Sequence, residues 1–430
     1  MLAAFVNAFK IPDLRKKILF TLAIIAVYRF GSHVPVPLVD LDAVQRQIEQ
    51  SSQGGSGFLD YINLFSGGAL TRMAVFALGI MPYITASIIM QLLTVVIPKL
   101  EQWQKEGESG TKKINQTTRY VTIVLALLQS TSLVFLFNRN DPQSGQIDLF
   151  TAQLTAPRIA LIVLTLTAGT ALIMWMGELI TQRGIGNGMS ILIFASVIST
   201  LPQEGASILA QGSTAQFITV IALGLAMIVA VVYIEQGQRR IPVQYAKRVV
   251  GRRMASGGST YIPLKVNQAG VIPIIFASSV LYFPTLLASA IDAAWFQTLV
   301  NDYLNNQRSV VYMAIYGLMV VFFAYFYTAI AFNPVDTADN LRKFGGFVPG
   351  IRPGPPTAKY LNDILVRITL PGALFLAAIA LVPTIVLAVW GFQQFPFGGA
   401  SLLITVGVAL ETMKQLESQL QMHNYEGFLK

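Results

Sequence analysis

Charge-free apolar runs, parted by short polar or basic segments, recur along nearly the whole 430-residue chain. As helices, runs of about 17–25 residues match the hydrocarbon core of a bilayer. Ten stand out, at residues 18–36, 73–97, 120–138, 157–178, 187–202, 214–235, 270–291, 309–332, 368–391 and 400–416. The fifth is short, and Pro202 is expected to end it. Gly, Pro, Ser and Thr inside many runs suit close helix packing. The pattern predicts an all-α, polytopic membrane protein with ten transmembrane helices.

The stretch Phe58–Val96 breaks the regularity. A short apolar stub, Tyr61–Leu70, carries a Ser66-Gly67-Gly68 break and leads through Thr71-Arg72 into the second run. Non-helical backbone at membrane depth is tolerated only where it lines a cavity or is buried in protein. The stub therefore points to a cavity.

Ten runs divide into five and five at the loop 203–213, giving an N-terminal half, 1–202, and a C-terminal half, 203–430. An odd number per half makes the halves run in opposite directions, as inverted repeats do around a site between them. Of the 30 Lys and Arg, 24 fall on the side that holds both termini, five on the other side, and Arg29 within the first run near its end. Positive residues mark the cytoplasmic side, so both termini are expected there. Arg29 is expected to snorkel to the interface. Residues 1–17 are amphipathic and basic, and the first run has no small-residue cleavage site, so no cleaved leader is expected.

Composition agrees with this picture. The chain is 54% hydrophobic and 12% charged, with a mean hydropathy of +0.59, about half the charge of a soluble domain. No cysteine is present, and the two histidines, His33 and His423, lie near the ends of the first and last runs. Thiolate chemistry is excluded, metal and triad chemistry are poorly supplied, and neither a cofactor nor enzymatic activity is expected. No run carries a carboxylate at mid-membrane, where ion-coupled carriers place theirs. A secondary transporter with inverted repeats and a broken helix is thus the alternative reading, and a scaffold that only recruits soluble partners is a third. What remains is a passive path that apolar and small polar side chains can close by dewetting.

Two long basic loops, 236–269 and 333–362, mix Arg and Lys with Tyr245, Tyr261, Phe344 and Phe347. Arg352 sits in the proline-stiffened VPGIRPG. The positive-inside rule accounts for the charge, but arginine in a rigid turn beside aromatics is also the composition of a docking surface.

Several long motifs in order carry a resemblance over nearly the whole chain: NLFSGGAL, ALGIMPYITASIIMQLL, KEGESG with TRY, MWMGELITQRGIGNGMSI, EQGQRRIPVQYAKR, PLKVNQAGVIPIIFASS, FNPVDTADNLRKFGGFVPGIRPG and GGASLLI. The sequence resembles the SecY family, the channel subunits of the Sec protein-translocation complex. The resemblance implies two inverted five-helix halves around a central pore, through which unfolded preproteins cross and from which transmembrane segments leave sideways into lipid. It implies a constriction ring of Ile80, Ile84, Met189, Ile193, Ile275 and Ile404, with methionine at 189 where isoleucine is more usual. It further implies a plug over 60–70, including Asp60, Tyr61, Leu64, Phe65, Ser66, Gly67, Gly68 and Leu70, hinged at the two glycines. Thr85, Gln129, Ser278 and Ser279 would be polar members of a lateral gate. Arg239, Arg240, Lys247, Arg248, Arg252, Arg253 and Arg352 would dock the SecA ATPase and the ribosome. SecE and SecG would be small membrane partners, preprotein signal sequences and membrane lipid would meet the gate, and the location would be a bacterial plasma membrane.

Overall fold

The computed structural model describes residues 9, 11–40, 44, 63–138, 155–211, 214–245, 248–250, 253–255, 259–290, 294–304, 309–390 and 399–428. Helices dominate it: α1 (Pro12–Gly31), α2 (Met81–Val96), α3 (Pro98–Lys105), α4 (Glu108–Asn138), α5 (Ala156–Arg183), α6 (Gly188–Gln211) and α7 (Thr214–Gln236). They continue as α8 (Ile272–Ala290), α9 (Ala294–Leu299), α10 (Val310–Ala331), α11 (Pro334–Lys343), α12 (Pro355–Trp390) and α13 (Gly399–Phe428), with a π-helical turn at Val300–Leu304. Five short strands join them: β1 (Gln238–Tyr245), β2 (Arg248–Val250), β3 (Arg253–Ala255), β4 (Ser259–Lys265) and β5 (Gly346–Phe347).

Among the described residues, ten helices of sixteen residues or more lie on the ten predicted spans. Five of these segments, beginning at Glu108, Ala156, Thr214, Val310 and Pro355, are apolar and long enough to cross a bilayer by length and composition alone. A sixth counts if α2 and α3, bent by 100°, form one broken span. Two of the others fall short for reasons visible in their sequence. The helix α1 carries Asp13, Arg15, Lys16, Lys17 and Arg29, and the second half of α13 turns polar after Glu411.

Helix ends follow the local chemistry. Pro12 opens α1 with Asp13 in its first turn and Arg29 in its last, which complements the helix dipole. The Asn333 side chain caps α11 by accepting from the Val335 and Asp336 amides, and Arg342 and Lys343 close it.

Three predicted boundaries move. The second span was expected over 73–97, yet helix begins only at Met81, and residues 67–80 run as turns. Proline at 202 was expected to end the fifth span, yet α6 continues to Gln211. A mid-helix proline deletes one backbone donor and bends a helix without stopping it where other contacts hold both sides. The loop 333–362 is mostly structured, since α11 and the first turns of α12 occupy much of it.

The chain divides into two compact units, residues 1–211 with 408–430, and residues 212–407. In the first, α4 packs on α2 and α5, and α5 on α1 and α6. Its core joins Leu70, Met73, Ala77 and Leu78 to Ala126, Leu133 and Val134 of α4 and Ile162, Val163 and Leu166 of α5. Close crossings need glycine here. A Cβ on Gly169 would run into the Val75 carbonyl, and one on Gly188 into the Gly177 carbonyl.

In the second unit α10 packs on α8 and α12. A three-stranded sheet of order β4-β1-β5 lies at the base of these helices, with both pairings antiparallel. Along β1 burial alternates, so Ile241 and Val243 point inward while the arginines face out. Ile241, Leu264, Val348 and Leu361 form the small core that holds the sheet on α12. The two basic loops, read separately in the sequence, are thus one sheet, through Gln244 opposite Phe347 and Tyr245 opposite Gly346.

Candidate functional site

The stub and its continuation form a turn-rich insert inside the first unit. Asn63–Ser66 make one helical turn, closed by Gly67 N–H to the Leu64 carbonyl and Gly68 N–H to the Asn63 carbonyl. Gly67 and Gly68 have φ of 65° and 82°, the left-handed region that glycine enters at little cost. The Ser66 hydroxyl donates to the Asn63 carbonyl and accepts from the Leu70 amide. Further on, Val36 N–H donates to the Met73 carbonyl and Val75 N–H to the Val34 carbonyl, each at 2.9 Å, so residues 34–36 and 73–75 form a small antiparallel bridge. Phe65, Ser66, Ala69 and Leu70 are completely buried. Tyr61 and Asp60 lie outside the described residues, and Leu64 is half-buried.

Two side chains of α1 reach this insert, and sequence reasoning had given neither a role there. Arg29, expected to snorkel, instead turns its Nη1 onto the Gly67 carbonyl at 2.9 Å and the Ser199 hydroxyl at 2.8 Å. The buried Tyr28 hydroxyl lies 2.6 Å from Ser196 Oγ and 3.5 Å from the Ser66 carbonyl. Both serines bond back into α6, Ser196 to the Leu192 carbonyl and Ser199 to the Ser196 carbonyl. Their hydroxyl protons are thereby committed, which makes them acceptors for α1. Phe76 stacks on Tyr28 with ring centroids 5.7 Å apart. The signal was present in the sequence: a cation inside an apolar run calls for a partner.

The six ring candidates divide between the units. Ile80 and Met189 are buried in one cluster of the first unit, and Ile84 and Ile193 pack against it. The thioether of Met189 lies on Gly177 of α5, so it fills the α5–α6 crossing. Ile275 and Ile404 are buried in the second unit.

Gate candidates differ in what their hydroxyls do. Thr85 donates to the Met81 carbonyl of its own helix, and Gln129 is half-buried on α4. Ser278 donates to the Ile274 carbonyl and lies 3.4 Å from the Tyr316 hydroxyl of α10. Ser279 lies on α8, in a position whose side chain is outside the described set.

Of the docking candidates, Arg239 and Arg240 are exposed on β1, and Arg240 stacks over Tyr261 of β4 at 4.9 Å from the ring centroid. Arg248 and Arg253 lie on β2 and β3. Lys247 and Arg252 lie outside the described residues. Arg352 is exposed, and its carbonyl accepts from the Thr357 hydroxyl at the start of α12. Phe344, which follows Arg342 and Lys343 at the end of α11, is 75% exposed, an apolar side chain next to two basic ones.

With this geometry in place, comparison with known proteins is decisive. A family model described as SecY matches residues 74–413. Two curated relatives, both named protein translocase subunit SecY, are 57% identical over 449 residues (Streptomyces scabiei) and 53% identical over 442 residues (Mycobacterium tuberculosis), and each alignment covers both chains in full. Among solved structures, one described as a protein-conducting channel superposes with a TM-score of 0.61 at 17% identity over 96% of each chain. The Sec61 chain of a canine ribosome–channel complex superposes with a TM-score of 0.59 at 16% identity, again over 96% of each.

Proposed function

The chain belongs to the SecY family, and on that premise we propose that this multi-pass membrane protein conducts unfolded preproteins across a bacterial plasma membrane and releases transmembrane segments sideways into lipid. The observation that carries the reading is the buried insert at residues 63–80. Irregular backbone with left-handed glycines, embedded among apolar helices, has no role in a simple bundle. It suits a closure that must come out.

In this reading Ile80, Ile84, Met189, Ile193, Ile275 and Ile404 form the aliphatic constriction, which excludes ions by dewetting and widens around a chain in transit. Residues 60–70 plug the external side. Thr85, Gln129, Ser278 and Ser279 are the polar members of the lateral gate, held by bonds worth about 0.6–2 kcal/mol each, weak enough to part. The sheet β4-β1-β5 with Arg239, Arg240 and Arg352 presents one rigid basic surface to SecA and the ribosome. Its strands tie both loops together, so a push on one is felt by the other. SecE and SecG complete the membrane complex, both termini face the cytoplasm, and the halves 1–202 and 203–430 are the inverted repeats.

The test is reconstitution with the small subunits and the motor, followed by ATP-dependent transfer of a signal-bearing preprotein into vesicles. Protease-protected preprotein is expected. Its absence with a motor shown to be active would overturn the reading.

A further inference from the structure

We infer that Arg29 and Tyr28 form a latch that holds the plug segment in its closed position, with Ser196 and Ser199 as its fixed half. This rests on the plug reading, and it assigns work to residues outside the plug itself. Arg29 Nη1 carries two protons, one directed to the Gly67 carbonyl and the other to Ser199 Oγ. Tyr28 has a single hydroxyl proton, which goes to Ser196 Oγ at 2.6 Å, and the Ser66 carbonyl of the plug lies 3.5 Å from the Tyr28 oxygen. Arg29 thus bridges α6 and the plug directly, and Tyr28 is fixed to α6 with its oxygen beside the plug backbone.

That arrangement gives the latch two properties. Release of the plug leaves α1 and α6 joined through Tyr28–Ser196 and Arg29–Ser199, so the receptor stays assembled for the plug's return. The plug-side acceptors are backbone carbonyls, presented by the turn at Gly67 and Gly68. The latch therefore reads the shape of the turn and not its side chains. A Cβ on Gly67 would lie 3.0 Å from Arg29 Nη1 and 3.1 Å from Ser199 Oγ, which makes glycine the residue that lets the turn seat fully.

An opposing element is built into the same turn. Among the described residues, Asn63 Oδ1 is buried with no hydrogen-bond partner. Movement of the segment into water would satisfy this oxygen, so Asn63 favours release while the latch opposes it. Closure is set by the difference between these two.

Resting ion conductance of the chain reconstituted in planar bilayers, with the membrane subunits that copurify with it, tests the latch. Arg29→Gln is expected to raise it about tenfold or more, the factor equivalent to ~1.4 kcal/mol. The same substitution is expected to add nothing once residues 60–70 are deleted. Asn63→Leu is expected to lower conductance and to offset part of the Arg29→Gln leak. If the deletion raises conductance while Arg29→Gln leaves it at the wild-type level, or if the two effects add in full, the latch is wrong and the plug stands. If the deletion itself changes nothing, the plug reading falls and the latch with it. A second arm does not depend on how Arg29 variants fold. In this cysteine-free chain, a Gly67→Cys, Ser199→Cys pair places the second sulfur about where Ser199 Oγ lies, 3.1 Å from a Cβ on residue 67, a separation that a disulfide spans at the cost of a tight fit against Arg29. Oxidation is expected to block preprotein-induced opening and reductant to restore it. A channel that opens with the bond formed would overturn the plug reading and the latch with it.

Discussion

Phe65 offers the sharpest measure of how tightly the insert is closed. It is completely buried, and within residues 63–70 only Leu70 matches it among large apolar side chains. Burial of these two contributes about 3–6 kcal/mol, and the cost of ordering a short segment offsets much of that. Truncation Phe65→Ala removes about 3–5 kcal/mol from the closed state. The displaced plug sits in water, where the missing ring costs nothing. The closed-to-open ratio is therefore expected to fall by about two to nearly four orders of magnitude, at 1.36 kcal/mol per tenfold. Phe65→Leu keeps most of the volume and is expected to shift the ratio by about tenfold or less. Resting conductance in planar bilayers reads the ratio directly, with the expected order wild type, then Phe65→Leu, then Phe65→Ala. Thermal unfolding in detergent serves as the partner measurement. If Phe65→Ala destabilises the whole protein as a core truncation does, yet conductance stays at the wild-type level, Phe65 is ordinary core and the reasoning fails.

Three further outcomes follow from the packing. Gly188→Leu drives a side chain into the Gly177 carbonyl at the α5–α6 crossing and is expected to cost more than about 3 kcal/mol, seen as loss of monodisperse protein on size exclusion; normal yield and melting would refute the close crossing. The Arg119–Glu178 pair joins α4 to α5 at 2.5 Å with both side chains about a third exposed, so a double-mutant cycle on thermal stability is expected to give a coupling of only about 0.5–1 kcal/mol, shrinking in high salt. Ile241→Ala opens the small core under the cytoplasmic sheet and is expected to cost about 2–5 kcal/mol locally; motor-driven transfer should fall and proteolysis within 246–258 should rise, while resting conductance stays unchanged.

Which parts of this molecule were legible in the sequence follows from the range of the interactions that fix them. Charge-free runs located all ten long helices because a bilayer imposes one length and one composition on any span. The limits of that logic appear where protein replaces lipid as the surroundings. Residues 73–80 are as apolar as any span, yet they run as turns: residues 34–36 take the Met73 carbonyl and the Val75 amide across the bridge at Pro35 and Ala74, and local turns bond the amides of Ala74, Ala77 and Gly79. No local pattern announces a partner forty residues away. The same holds for β1: buried Ile241 and Val243 alternate with exposed Arg240, Pro242 and Gln244, but the pairing with Phe347 depends on another loop a hundred residues on. Arg29 is the most instructive case. Read alone, a cation near a helix end has an easy exit to the interface. The structure holds it inward because a glycine turn presents a bare carbonyl and α6 supplies a serine whose proton is already committed to its own helix. An arginine's direction is set by which acceptors lie unfilled around it. Those acceptors are created by the fold, so a functional role for the cation becomes visible only after the turn that faces it has been placed.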